Sequence, residues 1–172
     1  MGQLIEFPVV TAAYPSVVAK LERPECVLLA ANRWWVTDHL RGSDPLPRLC
    51  RSMQTVGAHD AAFSIDQLMS VVARAVRRPI TIHCPLCSTV SEDEKHLLHA
   101  ASLAQAGPGD TAERALRTTL LSAQGAEFAL GTLEGLGALF AQAGLLFRRR
   151  LAALRGPGQM DSIEAWAPET VD

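Results

Sequence analysis

Cysteine and histidine side chains are concentrated in one stretch of the chain, between His83 and His99. Cys84 and Cys87 are separated by two residues, the spacing that lets two thiolates bind one tetrahedral metal ion. His96 and His99 follow at a spacing of three, which on a helix places both side chains on one face. The sequence therefore predicts a Cys₂His₂ zinc site with Cys84, Cys87, His96 and His99 as ligands and His83 as a spare ligand. Such a closed site would be structural rather than catalytic.

Two other interpretations of these residues stay open. A C-x-x-C pair in a reducing compartment is also typical of a thiol redox site, and a nearby helix start stabilises thiolates. Alternatively, Cys84 and Cys87 are small packing residues, and the histidines lie on the wet face of a helix. The H-x-x-H spacing is tighter than that of zinc fingers, and no second C-x-x-C pair is present.

The composition indicates one globular domain built from helices. The chain has 172 residues, of which 48% are hydrophobic but only 5% aromatic, so Leu, Val and Ala must supply most of the core. Sheets depend more on β-branched and aromatic residues than helices do. The formal net charge of −2 argues against a general nucleic-acid binder, which would show a basic footprint.

Helix start and stop signals predict an all-α, single-domain bundle of about five to six helices. At most one short extended segment is expected, near the N-terminus or at residues 80–83. Three starts follow capping rules, at Ser64, Ser91 and Asp110. The predicted helices are 24–40, 48–56, 64–78, 91–106, one that begins at Asp110, and 126–155.

The last predicted helix carries the strongest packing signal. Its apolar part is long enough to raise the question of a membrane span, but Glu127 and Glu134 argue against one. Gly131 and Gly135, four residues apart, predict a close approach of another helix. The arginines at 148–150 are expected on a solvated surface at the negative end of the helix dipole. Residues 1–155 would form the helical domain, and residues 156–172 an acidic tail, flexible or docked.

These features favour a non-enzymatic role, since no nucleophile-elbow, P-loop or zinc-protease motif occurs. We expect a cytoplasmic adaptor or regulatory protein that binds a protein partner or forms a homo-oligomer, with zinc as its only candidate cofactor. No secretory signal, nucleic-acid site or membrane span is predicted. The alternative function is a thiol redox sensor that uses Cys84 and Cys87. The candidate interaction residues are Trp34, Trp35, Gly131, Gly135 and Trp166.

Overall fold

The computed structural model describes residues 13–107 and 109–150, and within these ranges the chain forms six α-helices and no strand. This confirms the predicted all-α bundle, and residues 80–83 form no strand. A short 3-10 turn, Val18–Lys20, precedes the first helix. The helices are α1 (Arg23–Leu40), α2 (Leu46–Thr55), α3 (Ala61–Ala75), α4 (Glu92–Ala106), α5 (Gly109–Thr119) and α6 (Ala123–Gln142). Trp166 and the predicted acidic tail lie outside the described residues.

Helix α6 packs against α3, α4 and α5 and forms the centre of the bundle. Two of its glycines permit this close packing. A Cβ atom on Gly125 would collide with Ala75 on α3, and one on Gly137 would lie 3.0 Å from the Cα of Gln105 on α4. By contrast, a Cβ on Gly131 would meet open space. Close approach inside the bundle therefore depends on Gly125 and Gly137.

The helix starts agree with the capping rules in only part of the chain. Ser91 caps α4 as predicted: its hydroxyl accepts from the amide of Glu94 at 3.1 Å, and its own amide donates to the Glu94 carboxylate at 2.8 Å. The prediction of a cap at Ser64 is wrong, because α3 begins at Ala61. Ala61 and Ala62 are fully buried, so the helix extends N-terminally into the core.

The predicted helix 126–155 is too long at its C-terminal end. α6 stops at Gln142, and Gly144 follows with φ of +73°, a left-handed conformation that favours glycine. The side chain of Gln105 then binds the departing chain, donating to the carbonyl of Leu145 at 2.9 Å and accepting from the amide of Phe147 at 2.7 Å. These contacts hold residues 145–150 against α4 as an irregular strap.

The strap places its basic residues differently from the prediction. Arg150 is nearly buried and donates two hydrogen bonds to the fully buried carboxylate of Glu25, at the start of α1. Arg148 remains exposed and lies 3.3 Å from Glu22. The expectation of arginines on a solvated helix end is therefore wrong for Arg150. Among the described helices, none is long and apolar enough to cross a membrane.

Candidate functional site

A buried ion pair organises the segment that carries the C-x-x-C motif. Nε of Arg33 on α1 lies 2.7 Å from Oε1 of Glu94 on α4, and the two side chains are only 2% and 1% exposed. Removing two charges from water is costly unless their remaining hydrogen-bonding groups find partners. Here they do, and the partners are backbone groups of residues 83–89, which we call the cysteine loop.

The ion pair holds this loop at both ends. Arg33 donates to the carbonyl of Cys87 at 2.6 Å and to the carbonyl of Thr89 at 2.5 Å. Glu94 accepts from the amide of His83 at 3.0 Å. Burial acts to raise the pKa of Glu94, but these hydrogen bonds and the Arg33 charge outweigh it and hold the pKa below its usual value. Loop and ion pair are thus mutually dependent.

A second carboxylate anchors the chain that leads into the loop. Asp93, also in the first turn of α4, accepts from the guanidinium of Arg78 at 2.5 Å and from the amide of Thr81 at 2.7 Å. The hydroxyl of Ser91 donates to the carbonyl of Thr81 at 2.5 Å. The start of α4 therefore fixes most of the connection between α3 and α4.

The two cysteines lie at the corners of a tight turn. The amide of Cys87 donates to the carbonyl of Cys84 at 3.0 Å, as in a β-turn, with Leu86 at the tip 92% exposed. Cys84 is exposed, Cys87 is half-buried, and both are free thiols. Because a β-turn brings its first and fourth Cα atoms within about 7 Å, the Cα separation of Cys84 and Cys87 is compatible with a disulfide.

Polar neighbours of Cys87 favour its thiolate form. Its Sγ lies 3.2 Å from the hydroxyl of Thr89, whose carbonyl lies 3.1 Å from Nδ1 of His83. Hydrogen bonds from the side chain and backbone of Thr89 lower the pKa of Cys87, and the positive charge of Arg33 acts in the same direction. The Cys87 thiol therefore forms the nucleophilic thiolate more readily than an unperturbed cysteine does.

His96 and His99 have different neighbours from the cysteines. Both are half-buried on α4, and Nδ1 of each is buried without a hydrogen-bond partner among the described residues. The His99 ring meets Tyr14 edge-on at 6.1 Å between ring centroids. Burial lowers the pKa of both imidazoles.

The structure does not assemble the predicted zinc ligands. In the ranges 13–107 and 109–150, no three His, Cys, Asp or Glu side chains are grouped so that they could hold a metal ion. Cys84 and Cys87 share one turn, whereas His96 and His99 lie three residues apart on α4. His83 lies beside the cysteines but contacts Thr89 and Glu94.

Of the predicted interaction residues, the two adjacent tryptophans belong mainly to the bundle. Trp35 is buried, donates from Nε1 to Asp66 at 2.7 Å and stacks on His39 at 4.6 Å. Trp34 is half-buried, and the guanidinium of Arg48 covers its ring at 4.3 Å. Trp35 also lines an apolar groove of about 410 Å³ between α1 and α3. Neither ring presents a large free surface.

The larger exposed aromatic surface was not found by sequence reasoning. Phe63 on α3 is 48% exposed and Phe128 on α6 is 63% exposed. We call the surface that carries them the outer α3–α6 face. Its residues are Phe63, Gln67, Ser70, Val71 and Arg74 on α3, and Gln124, Phe128, Gly131 and Gly135 on α6. Phe63 follows the buried Ala62, and Phe128 precedes the buried Ala129. Hydrophobic periodicity alone assigns such aromatic residues to the core, so it gave no sign of their exposure.

Comparison with known proteins adds no assignment: the chain matches no protein-family model, no curated protein and no solved structure.

Proposed function

We propose that this chain is a non-enzymatic adaptor or regulatory protein that acts by binding another protein chain through the outer α3–α6 face. The occupant that fits this face is a second copy of the same chain. The observation that carries the proposal is the pair of exposed phenylalanines, Phe63 and Phe128. Phe63 lies on the helical stripe of α3 that includes Ser70, and Ser70 lines a groove together with Phe128. Exposed aromatic side chains of this kind are typical of the centre of protein interfaces.

The face is complementary to itself. Contacts of Gly125 with Ala75 and of Gly135 with Ser64 show that α3 and α6 run antiparallel. Phe63 projects at one end, and at the other end Arg74 and Phe128 border a groove of about 370 Å³. The two ends are about 16 Å apart, at 1.5 Å per helical residue. A two-fold axis between them would place each copy's Phe63 at its partner's groove, as in an isologous dimer.

The charges and the glycines of the face support the same arrangement. Arg74 is the one charged side chain among the residues that define the face, so two copies would not bring a cluster of like charges together. Gly131 at the middle of the face is exposed, and a Cβ atom added to it would meet no neighbour within 4 Å. A partner backbone can therefore come close at the position of the proposed axis. An interface outside the bundle is consistent with the prediction from the sequence that Gly131 and Gly135 are interaction residues.

The test is the oligomeric state of the full chain and of two variants. Phe128→Glu buries a charge in the proposed interface twice, once on each copy. We expect a wild-type dimer in size-exclusion chromatography with light scattering, and a dissociation constant at least roughly 100-fold higher for Phe128→Glu. Phe63→Glu should act in the same direction.

Leu146→Glu is the matched control, because Leu146 is also 63% exposed but lies on the strap. Its dimer should dissociate as the wild type does. A monomeric wild-type chain at high micromolar concentration would exclude the second copy as the occupant. Equal weakening by Leu146→Glu would show that the loss is caused by added charge and not by the face.

A further inference from the structure

We propose that Cys84 and Cys87 form a reactive dithiol that a hydroperoxide oxidises to an intramolecular disulfide. This would give the protein a redox-sensitive site in addition to its proposed interaction surface, and neither depends on the other. The inference rests on three features of the loop: the turn that pairs the thiols, their access to solvent, and the hydroxyl group beside Cys87.

The turn brings the backbones of Cys84 and Cys87 close together before any reaction occurs. The hydrogen bond from the Cys87 amide to the Cys84 carbonyl closes the turn at 3.0 Å. Arg33 holds the carbonyl of Cys87 in place, and Glu94 holds the amide of His83. Because both anchors belong to a buried ion pair, little chain entropy has to be lost when the S–S bond forms.

Access and local polarity distinguish these thiols from the other two in the chain. Cys84 is exposed, and the Sγ of Cys87 contacts the Thr89 hydroxyl at 3.2 Å. In contrast, the Sγ of Cys26 lies among backbone carbonyls, 3.7 Å from that of Leu21, and burial raises its pKa. Cys50 is partly buried within α2 and packs against the core. Within residues 13–107 and 109–150, the loop alone places two cysteines in one turn.

The reaction balances with the hydroperoxide as the sole oxidant. The Cys87 thiolate attacks one peroxide oxygen, so that an S–O bond forms, the O–O bond breaks, and the leaving oxygen takes up a proton as water or alcohol. The thiolate of Cys84 then attacks the resulting sulfenic acid; the S–S bond forms, and the hydroxyl leaves as water with the proton from Cys84. Two thiols are oxidised by two electrons, and one hydroperoxide is reduced.

Trypsin digestion isolates the site cleanly. Cleavage after Arg77 and Lys95, with no cleavage between Arg78 and Pro79, gives a peptide that contains Cys84 and Cys87 and no other cysteine. The full reduced chain is treated with equimolar hydrogen peroxide, alkylated and digested. We expect this peptide to lose two hydrogens and to escape alkylation. Complete alkylation of both cysteines after peroxide treatment would overturn the proposal, as would disulfides that link them to Cys26, to Cys50 or to another chain.

Single substitutions assign the two roles. Cys84→Ser should stop at a sulfenic acid on Cys87 that dimedone traps, whereas Cys87→Ser should react much more slowly. Cys50→Ser is the control and should form the disulfide at the wild-type rate. Identical rates for Cys84→Ser and Cys87→Ser would contradict the assignment of Cys87 as the attacking thiol.

Thr89→Val keeps the side-chain shape and removes the hydroxyl beside Cys87. We expect oxidation several-fold slower than in the wild type, with the midpoint of thermal unfolding unchanged. An unchanged rate would show that the hydroxyl does not assist the reaction. Elemental analysis of the purified protein provides an independent check. About one zinc per chain that protects Cys84 and Cys87 from peroxide would overturn the proposal in favour of a metal site.

Discussion

At the scale of single residues, Arg33 and Glu94 determine how the connection between α3 and α4 is held. Besides binding each other, Arg33 and Glu94 bind backbone groups of the cysteine loop and of the start of α4. The sequence gives no sign of this pair, because its members are 61 positions apart. Sequence patterns alone cannot show that Arg33 is buried, because its burial depends on a carboxylate that only the fold brings close to it.

We expect Glu94→Gln to destabilise the protein strongly. The amide keeps the size of the side chain but leaves the charge of Arg33 buried without a counter-ion, which costs about 3–5 kcal/mol. Glu92→Gln is the matched control in the same helical turn. Glu92 is exposed and pairs with Lys95 at 2.7 Å, and such surface pairs contribute about 0–1 kcal/mol. Urea unfolding of both variants measures the difference, and similar losses for the two would contradict the role given to the buried pair.

At the scale of helices, the packing of α6 predicts opposite effects for two glycine-to-alanine substitutions. In Gly125→Ala the new methyl group collides with Ala75 on α3, and overpacking of this kind costs about 1–3 kcal/mol. In Gly131→Ala the methyl group enters open space, and the gain in helix propensity is up to about 1 kcal/mol. Unfolding free energies measured at low protein concentration, where self-association is minimal, should therefore change with opposite signs. Two changes of the same sign would refute this account of the packing.

The same helices show which parts of the fold were predictable. The cap of α4 involves only Ser91 and Glu94, so local sequence rules were sufficient to predict it. The start of α3 depends on burial of Ala61 and Ala62 in the core, and a local rule therefore placed it three residues late. The end of α6 depends on Gln105 of α4, which captures the chain beyond Gly144. Long-range contacts, which a single sequence does not reveal, caused both errors.

The candidate site was also predictable only in its local features. The C-x-x-C motif lies on a turn that is closed by residues within the motif, so its backbone geometry is local to the sequence. The grouping with His96 and His99 required knowledge of where α4 points its side chains, and the structure does not bring the four together. Phe63 and Phe128 were missed because their exposure results from the way α3 packs on α6.

At the scale of the whole molecule, the strap closes the bundle over a half-buried polar region of α4. Arg150 on the strap pairs with Glu25 of α1 and lies 5.6 Å above the ring of Tyr14. His99 is next to Tyr14 and the strap backbone, and His96 lies one turn earlier on the same helix. Protonation of His99 would therefore place a charge where α1, α4 and the strap meet, whereas the charged neighbours of His96 include Asp93 and Arg78.

Burial lowers the pKa of His96 and His99 below the 6.5 of a solvent-exposed imidazole, although Asp93 and Glu92 act in the opposite direction on His96. As the pH falls through 6.5, the unfolded chain therefore binds protons before the folded chain does. The free energy of unfolding must then decrease with falling pH, and this loss levels off below the folded-state pKa values. Hydrogen bonds that lower the pKa of Asp93 and Glu94 outweigh the effect of burial and produce a further loss in more acidic solution.

We expect the wild-type urea midpoint to fall between pH 7 and pH 5, and the double variant His96→Gln with His99→Gln to lose most of this dependence. His59→Gln removes an exposed histidine and should leave the wild-type dependence intact. Below about pH 4, where unfolded carboxylates become protonated, both variants should lose stability as the wild type does. A double variant with the full wild-type slope between pH 7 and pH 5 would exclude the two α4 histidines as its source. The loss between pH 7 and pH 5 then measures the two α4 histidines, and the loss below about pH 4 measures carboxylates such as Asp93 and Glu94.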